Sequence, residues 1–226
     1  PTASGKSLII YGLCRLATTG RILIVVPTTS LVEQMYKDFA DYGYDSEANC
    51  HKIYSGKDKT TDKQIVITTW QSVYKLPKAW FKDYTMVIGD EAHLFKATSL
   101  KTLLEKCENA YLRFGTTGTL DGSKTHALML EGLFGPVKRF TTSKELMKEG
   151  SLAKLDISCI MLNYEEEIRK STKKYTYQEE MDFLVSHEPR NRFIRNLALD
   201  QKGNTLLLFQ YVEKHGAILH DMIKEK

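Results

Sequence analysis

No feature of this chain limits its fold more than a pair of short stretches, Pro1-Thr2-Ala3-Ser4-Gly5-Lys6-Ser7 and Met86-Val87-Ile88-Gly89-Asp90-Glu91-Ala92-His93. The first ends as a phosphate loop ends. In such a loop backbone N–H groups and the start of a helix cradle the phosphates of a nucleoside triphosphate, a lysine reaches the β- and γ-phosphates, and a serine hydroxyl holds Mg²⁺. Thr2, Ala3, Ser4, Gly5, Lys6 and Ser7 fill those positions, and the first glycine of the full G-x-x-x-x-G-K-[ST] pattern would fall one place before Pro1. The second stretch is an apolar run closed by two carboxylates. Asp90 is the candidate to share the metal with Ser7, and Glu91 the candidate to orient or deprotonate the attacking water. Gly-Lys-Ser alone reads equally well as a surface turn, and Gly-Asp-Glu-Ala-His alone has a solvated strand end as its lesser alternative. Both together, in this order and with strand and helix patterns between them, point to ATP and Mg²⁺.

With 226 residues, 42% of them hydrophobic, the chain can bury a real core as one large domain or two smaller ones. A net charge of +4 permits nucleic-acid binding without demanding it, because the clustering of lysines and arginines matters more than their sum. Cys14, Cys50, Cys107 and Cys159 stand far apart, so no C-x-x-C pair offers a zinc or redox site; they read as small buried or half-buried thiols in a reducing cytoplasm. No apolar run approaches the length of a membrane span, and no signal peptide is visible. The chain lacks a leading methionine and the strand that feeds a phosphate loop, so it reads as an excerpt of a longer protein.

From Pro1 to about Phe140, β-rich runs alternate with helical patterns. Arg21 to Val26 reads as a buried strand closed by Pro27. Thr29 or Ser30 can cap a following helix whose Leu31, Met35 and Phe39 form one apolar stripe. Residues 64–68, 85–88 and 110–114 are further strand candidates, with helices expected over 100–107 and 126–133. Strands alternating with crossover helices predict an α/β fold with a parallel sheet, in which ligands sit at the carboxyl ends of the strands. A second unit is expected from Thr141. Thr142-Ser143-Lys144-Glu145 forms a capping box for a short helix, 156–162 and 205–209 read as strands, and 164–174 as a charge-rich connection. Helices are expected over 177–185, 191–199 and through Ala217 to Ile223.

Four further segments, in fixed order, narrow the reading. They are Val26-Pro27-Thr28-Thr29-Ser30-Leu31-Val32-Glu33-Gln34, Thr68-Thr69-Trp70-Gln71-Ser72-Val73, Gly115-Thr116-Thr117-Gly118-Thr119-Leu120, and the run Leu206 to Phe209. In this order the chain resembles the superfamily-2 helicases and translocases over essentially its whole length, and among them the phage branched-DNA helicases. The resemblance implies a RecA-like parallel sheet with flanking helices in residues 1–140 and the start of a second RecA-like lobe in 141–226. It implies that Pro27, Thr28 and Thr29 contact the nucleic-acid backbone and that Thr69, Trp70 and Gln71 lie along the same track, where hydroxyls and amides grip phosphates without reading sequence. Trp70 either stacks on a base, worth roughly 1–3 kcal/mol, or is a packed core aromatic; Pro27-Thr28-Thr29 has its own plain alternative, a strand exit with a helix cap. By the same resemblance Gly115 to Thr119, with the hydroxyls of Thr117 and Thr119, stands where the family has an element linking hydrolysis to movement, and His93 resembles the residue that bridges to it. Ala3 departs from the family's usual glycine, and no arginine of the chain falls in a motif that would close on the nucleotide.

The implied activity is that of an ATP-dependent DNA helicase or translocase. Its substrates would be branched or forked DNA, or RNA–DNA hybrids, in recombination, repair and replication within a bacterial host's cytoplasm. The motor subunit of a restriction system, an RNA helicase, and a nucleotide- or nucleic-acid-binding module without turnover stay open as alternatives.

Overall fold

Runs such as Ile22-Leu23-Ile24-Val25-Val26, apolar at every position, call for burial on both faces of a sheet, and the chain meets that demand with crossover helices. The computed structural model describes residues 4–96, 98–118 and 124–224. Two compact units divide it, Pro1–Leu155 and Asp156–Lys226. The first runs α1 (Lys6–Leu16), β1 (Arg21–Val26), α2 (Thr29–Asp41), α3 (Ser46–Asn49), β2 (Cys50–Ile53), β3 (Ile65–Thr69), α4 (Trp70–Val73), β4 (Tyr84–Asp90), α5 (Thr98–Lys106), β5 (Leu112–Thr116), α6 (Lys124–Phe134) and α7 (Ser143–Lys148). The sequence reading places α7 in the second unit; the contacts group it with the first.

The five strands form one sheet in the order β2-β3-β1-β4-β5, every pair parallel. The period of two along β1 sorts its side chains between two cores. Ile22, Ile24 and Val26 face a cluster with Ile10 and Cys14 of α1 and Val32, Met35 and Phe39 of α2. Leu23 and Val25 face the other, with Leu100, Leu103 and Leu104 of α5 and with Phe81 and Tyr84. The stripe of α2 is thus Val32, Met35 and Phe39, with Leu31 only partly buried. Thr28, one residue earlier than expected, caps this helix: its hydroxyl accepts from the Leu31 N–H at 3.3 Å. Strand β2 was not anticipated, because Cys50-His51-Lys52-Ile53 is short and half polar and gains strand geometry only from pairing with β3.

The second unit holds α8 (Glu166–Thr172), α9 (Tyr177–Ser186), α10 (Glu188–Asp200), a π-helical turn at Val212–Gly216 and α11 (Ala217–Lys224). Here the sequence reading needs correction. Residues 156–162 and 205–209 are not strands, and Leu206 and Leu208, expected to be buried, are each 82% exposed. A strand needs a partner for its N–H and C=O groups, and among the described residues the second unit has no other strand to supply one. Residues 164–174, read as a connection, hold α8, whose acidic first turn and basic last turn suit the helix dipole.

The thiols of Cys14, Cys50 and Cys107 are buried, and burial pushes them up to about 12, 11 and 12, so they stay protonated and inert at neutral pH; Cys159 is exposed. Tyr84 is likewise buried at 1% exposure, with the Arg21 guanidinium 5.0 Å from its ring centre. Its hydroxyl has no hydrogen-bond partner among the described residues, and burial raises its pKa. Since an unpaired buried hydroxyl costs roughly 1–3 kcal/mol, Tyr84→Phe is expected to keep the fold and to raise stability by about 1 kcal/mol in urea denaturation. A comparable loss would show that the hydroxyl has a partner after all.

Candidate functional site

A sheet whose strands all run one way ends all of them on one edge. The segments that leave that edge include Pro27 to Thr29 after β1, Trp70 and Gln71 after β3, Glu91 to His93 after β4, and Thr117 after β5. The two carboxylates sit where the buried strand β4 gives out, because Asp90 is its last residue and pairs in register with Thr116 of β5. Asp90 is 7% exposed, and its Oδ1 accepts a hydrogen bond from the Thr116 hydroxyl at 2.7 Å.

Glu91 turns the chain off the strand with φ 50°, the one non-glycine residue with positive φ among those described. That conformation costs a side-chain-bearing residue about 1–2 kcal/mol and marks the position as one the surroundings hold in place. Two groups meet its carboxylate. Lys6 Nζ lies 2.9 Å from Glu91 Oε1, both side chains only partly exposed, and His93 Nδ1 lies 3.3 Å from Glu91 Oε2. The same His93 nitrogen is 2.8 Å from Thr117 Oγ1. A continuous set of contacts therefore runs from Lys6, the first residue of α1, through Glu91 and His93, to Thr117.

Gly5, with φ 73°, turns the chain into α1, which opens with free first-turn N–H groups and with Lys6, whose side chain reaches Glu91. This is the arrangement that binds phosphate. Thr2 and Ala3 lie outside the described residues, as does Thr119. Hard oxygen donors, the Ser7 hydroxyl and the Asp90 carboxylate, are of the kind Mg²⁺ takes. Mg²⁺ commonly takes only one or two protein ligands beside waters and phosphate oxygens, so two such donors are enough; among the described residues no group of three or more His, Cys, Asp or Glu converges. The residues present fit that ion.

The candidate nucleic-acid residues divide. Thr28 and Thr29 are exposed at the start of α2, and the Thr28 hydroxyl is shared between the cap and the Ser30 hydroxyl at 2.9 Å. Gln71 is exposed and lines a shallow groove with Tyr54, Ser55, Gly56, Lys59 and Ser72. Thr69, in contrast, is 4% exposed and its hydroxyl meets that of Ser72 at 2.8 Å. Trp70 is half-buried, edge-on to Tyr74 at 5.4 Å, and lines a small cleft with Pro27, Asp90, Leu94 and Leu100. It packs between the β1 exit and the carboxylate end of β4.

Two residues that touch candidate site residues escaped the sequence reading, Thr116 and Tyr42. Thr116 lay inside a quoted segment, but only the β4/β5 register shows that it, ahead of Thr117, faces Asp90. The Tyr42 hydroxyl lies 2.8 Å from Ser7 Oγ, a contact between α2 and α1 that no local pattern signals.

Residues 1–122 match the family described as type III restriction enzyme, res subunit. Over 100% of its length the chain is 37% identical to the ATP-dependent DNA helicase uvsW of Enterobacteria phage T4, of which it covers 47%. The crystal structure of T4 UvsW superposes with a TM-score of 0.57 at 35% identity, over 100% of this chain and 46% of that one. The Hef helicase domain of Pyrococcus furiosus gives a TM-score of 0.58 at 16% identity, over 100% and 49% of the two chains, a likeness of fold alone. The chain thus spans about half the length of the phage relative.

The Asp90–Thr116 bond makes a prediction independent of any ligand. Thr116→Val keeps the shape and removes the hydroxyl. A hydrogen bond to a charged group is worth about 1.5–3 kcal/mol, so denaturation should show a loss of that order; an unchanged midpoint would mean that Asp90 does not use this bond.

Proposed function

Because the chain belongs to the superfamily-2 helicases, we propose that it carries the nucleotide-hydrolysing part of an ATP-dependent DNA helicase or translocase. The observation that carries this reading is the meeting of Lys6 and Glu91, 85 positions apart in sequence, at 2.9 Å on the carboxyl edge of a parallel sheet. In this reading Ser4 to Ser7 and the first turn of α1 receive the triphosphate, with Thr2 and Ala3 completing the loop. Lys6 leaves Glu91 for the β- and γ-phosphates, where its charge offsets theirs. Ser7 and Asp90 would hold Mg²⁺, which supplies neutralisation of charge on the phosphate oxygens. Released from Lys6, Glu91 orients the attacking water and takes its proton.

The same edge would grip DNA. Thr28, Thr29 and Gln71 are exposed to meet backbone phosphates, with Thr69 and Pro27 shaping the strand ends behind them. The half-burial of Trp70 supports a packing role for it over base stacking. His93 and Thr117, and with them Thr119, would report the state of the γ-phosphate to the rest of the motor. In this reading residues 141–226 begin a second RecA-like lobe. Identity to a DNA helicase over the whole chain supports this reading over a restriction motor, which would share the first unit. Branched or forked DNA is the proposed substrate, RNA–DNA hybrid a further one, and the host cytoplasm the place of action. Among the described residues no helix is long and apolar enough to cross a membrane.

Two variants of the intact protein test the chemistry. Lys6→Ala is expected to abolish ATP hydrolysis; wild-type turnover in that variant would refute the site. Glu91→Gln is expected to keep ATP and Mg²⁺ bound while hydrolysis falls by about 10²–10⁴, the usual contribution of a general base, and loss of nucleotide binding would instead give Glu91 a structural role. Coupling is tested separately. Thr117→Ala and His93→Ala should each retain most ATPase while strand separation is lost, measured on one preparation; a proportional fall in both rates would contradict the role.

A further inference from the structure

The hydrogen bond between Ser7 Oγ and the Tyr42 hydroxyl, 2.8 Å long, ties the end of α2 to the first turn of α1. Tyr42 does not reach Ser7 by chance of rotamer. Its backbone is fixed by the way α2 stops: the Gly43 N–H donates to the Ala40 carbonyl at 2.9 Å and the Tyr44 N–H to the Phe39 carbonyl at 3.0 Å. These are the two bonds of a Schellman motif, with Gly43 at φ 81° in the left-handed position that the motif requires. The Tyr44 and Phe39 rings, 6.2 Å apart, supply the apolar contact that accompanies it. The Tyr42 ring is held in turn by Tyr11, at 5.4 Å. Tyr11 lies four residues after Ser7, on the same face of α1. The phenol is therefore directed along α1 to Ser7 by two independent constraints.

Resting on the nucleotide-site reading above, we propose that Tyr42 is a positioning residue for that site, acting through Ser7. A serine hydroxyl has one proton and two lone pairs. To give a lone pair to a cation it must turn its proton elsewhere, and the Tyr42 oxygen stands at hydrogen-bond distance to accept it. Ser7 donating to Tyr42 fixes the hydroxyl rotor and leaves its oxygen lone pairs for the metal. This is the way outer groups orient metal ligands generally. Phenylalanine at this position would keep the ring packing against Tyr11 and lose only the acceptor.

The test measures binding of a fluorescent ATP analogue to the intact protein as Mg²⁺ is titrated, for wild type, Tyr42→Phe, Ser7→Ala and the double variant. Melting temperatures serve as a check on folding. Failure of the wild type to bind nucleotide in a Mg²⁺-dependent way would sink the nucleotide-site reading itself. Given that dependence, Tyr42→Phe is expected to raise the Mg²⁺ midpoint by about 10-fold, the low end of what loss of an outer partner does. Affinity in EDTA should be unchanged, and Tyr42→Phe should add nothing in the Ser7→Ala background. An unmoved midpoint, a lowered one that would make Tyr42 a competitor of the metal, or an equal shift in the Ser7→Ala background would each overturn the role assigned to Tyr42.

Discussion

Parallel strands can share a sheet only if the chain returns over one face after each of them, and that constraint places the functional candidates that end or follow β1, β3, β4 and β5. Strands β3, β1, β4 and β5 deliver their last residues to the same edge, so Thr69, Val26, Asp90 and Thr116 become neighbours although they lie far apart in sequence. Burial on both faces holds the edge still. Leu23 and Val25 pack against α5, Ile22 and Ile24 against α1 and α2, and a shift of one residue in β1 would exchange the two cores.

On that edge charge decides the arrangement. Asp90 is buried and relies on the Thr116 hydroxyl, whereas Glu91 lies further out and is shared by a lysine and a histidine. The left-handed turn at Glu91 separates the two adjacent carboxylates, giving one to the strand end and the other to the loop. Two neighbouring acids with different surroundings suit two different tasks. His93 touches both Glu91 and Thr117, so the end of β4 and the end of β5 are joined through one imidazole.

Much of this was legible in the residues. The strand Arg21–Val26 was read to the residue, because an apolar run ended by proline has few other solutions. The meeting of Lys6 and Glu91 on one edge could be anticipated, because the proposed chemistry calls for those residue types in that order. Other features depend on tertiary partners that local sequence does not carry. Cys50–Ile53 is a strand only beside β3, and Leu206 to Phe209 has the composition of a buried strand with no neighbour to pair with among the described residues. The hydroxyls of Thr69 and Thr116 follow the same rule: the first turns inward to Ser72 and the second to Asp90, choices made by register and burial. Tyr42 is the intermediate case, since Tyr42-Gly43-Tyr44 announces a helix stop but not what its phenol reaches.

The central claim is that one edge of the sheet both hydrolyses ATP and answers to DNA. It is tested most directly by steady-state ATP hydrolysis in the intact protein, with and without forked DNA, across a range of Mg²⁺. The account predicts turnover that requires Mg²⁺ and rises when DNA is added. Turnover indifferent to DNA, or DNA binding with no turnover at any Mg²⁺ concentration, would contradict it.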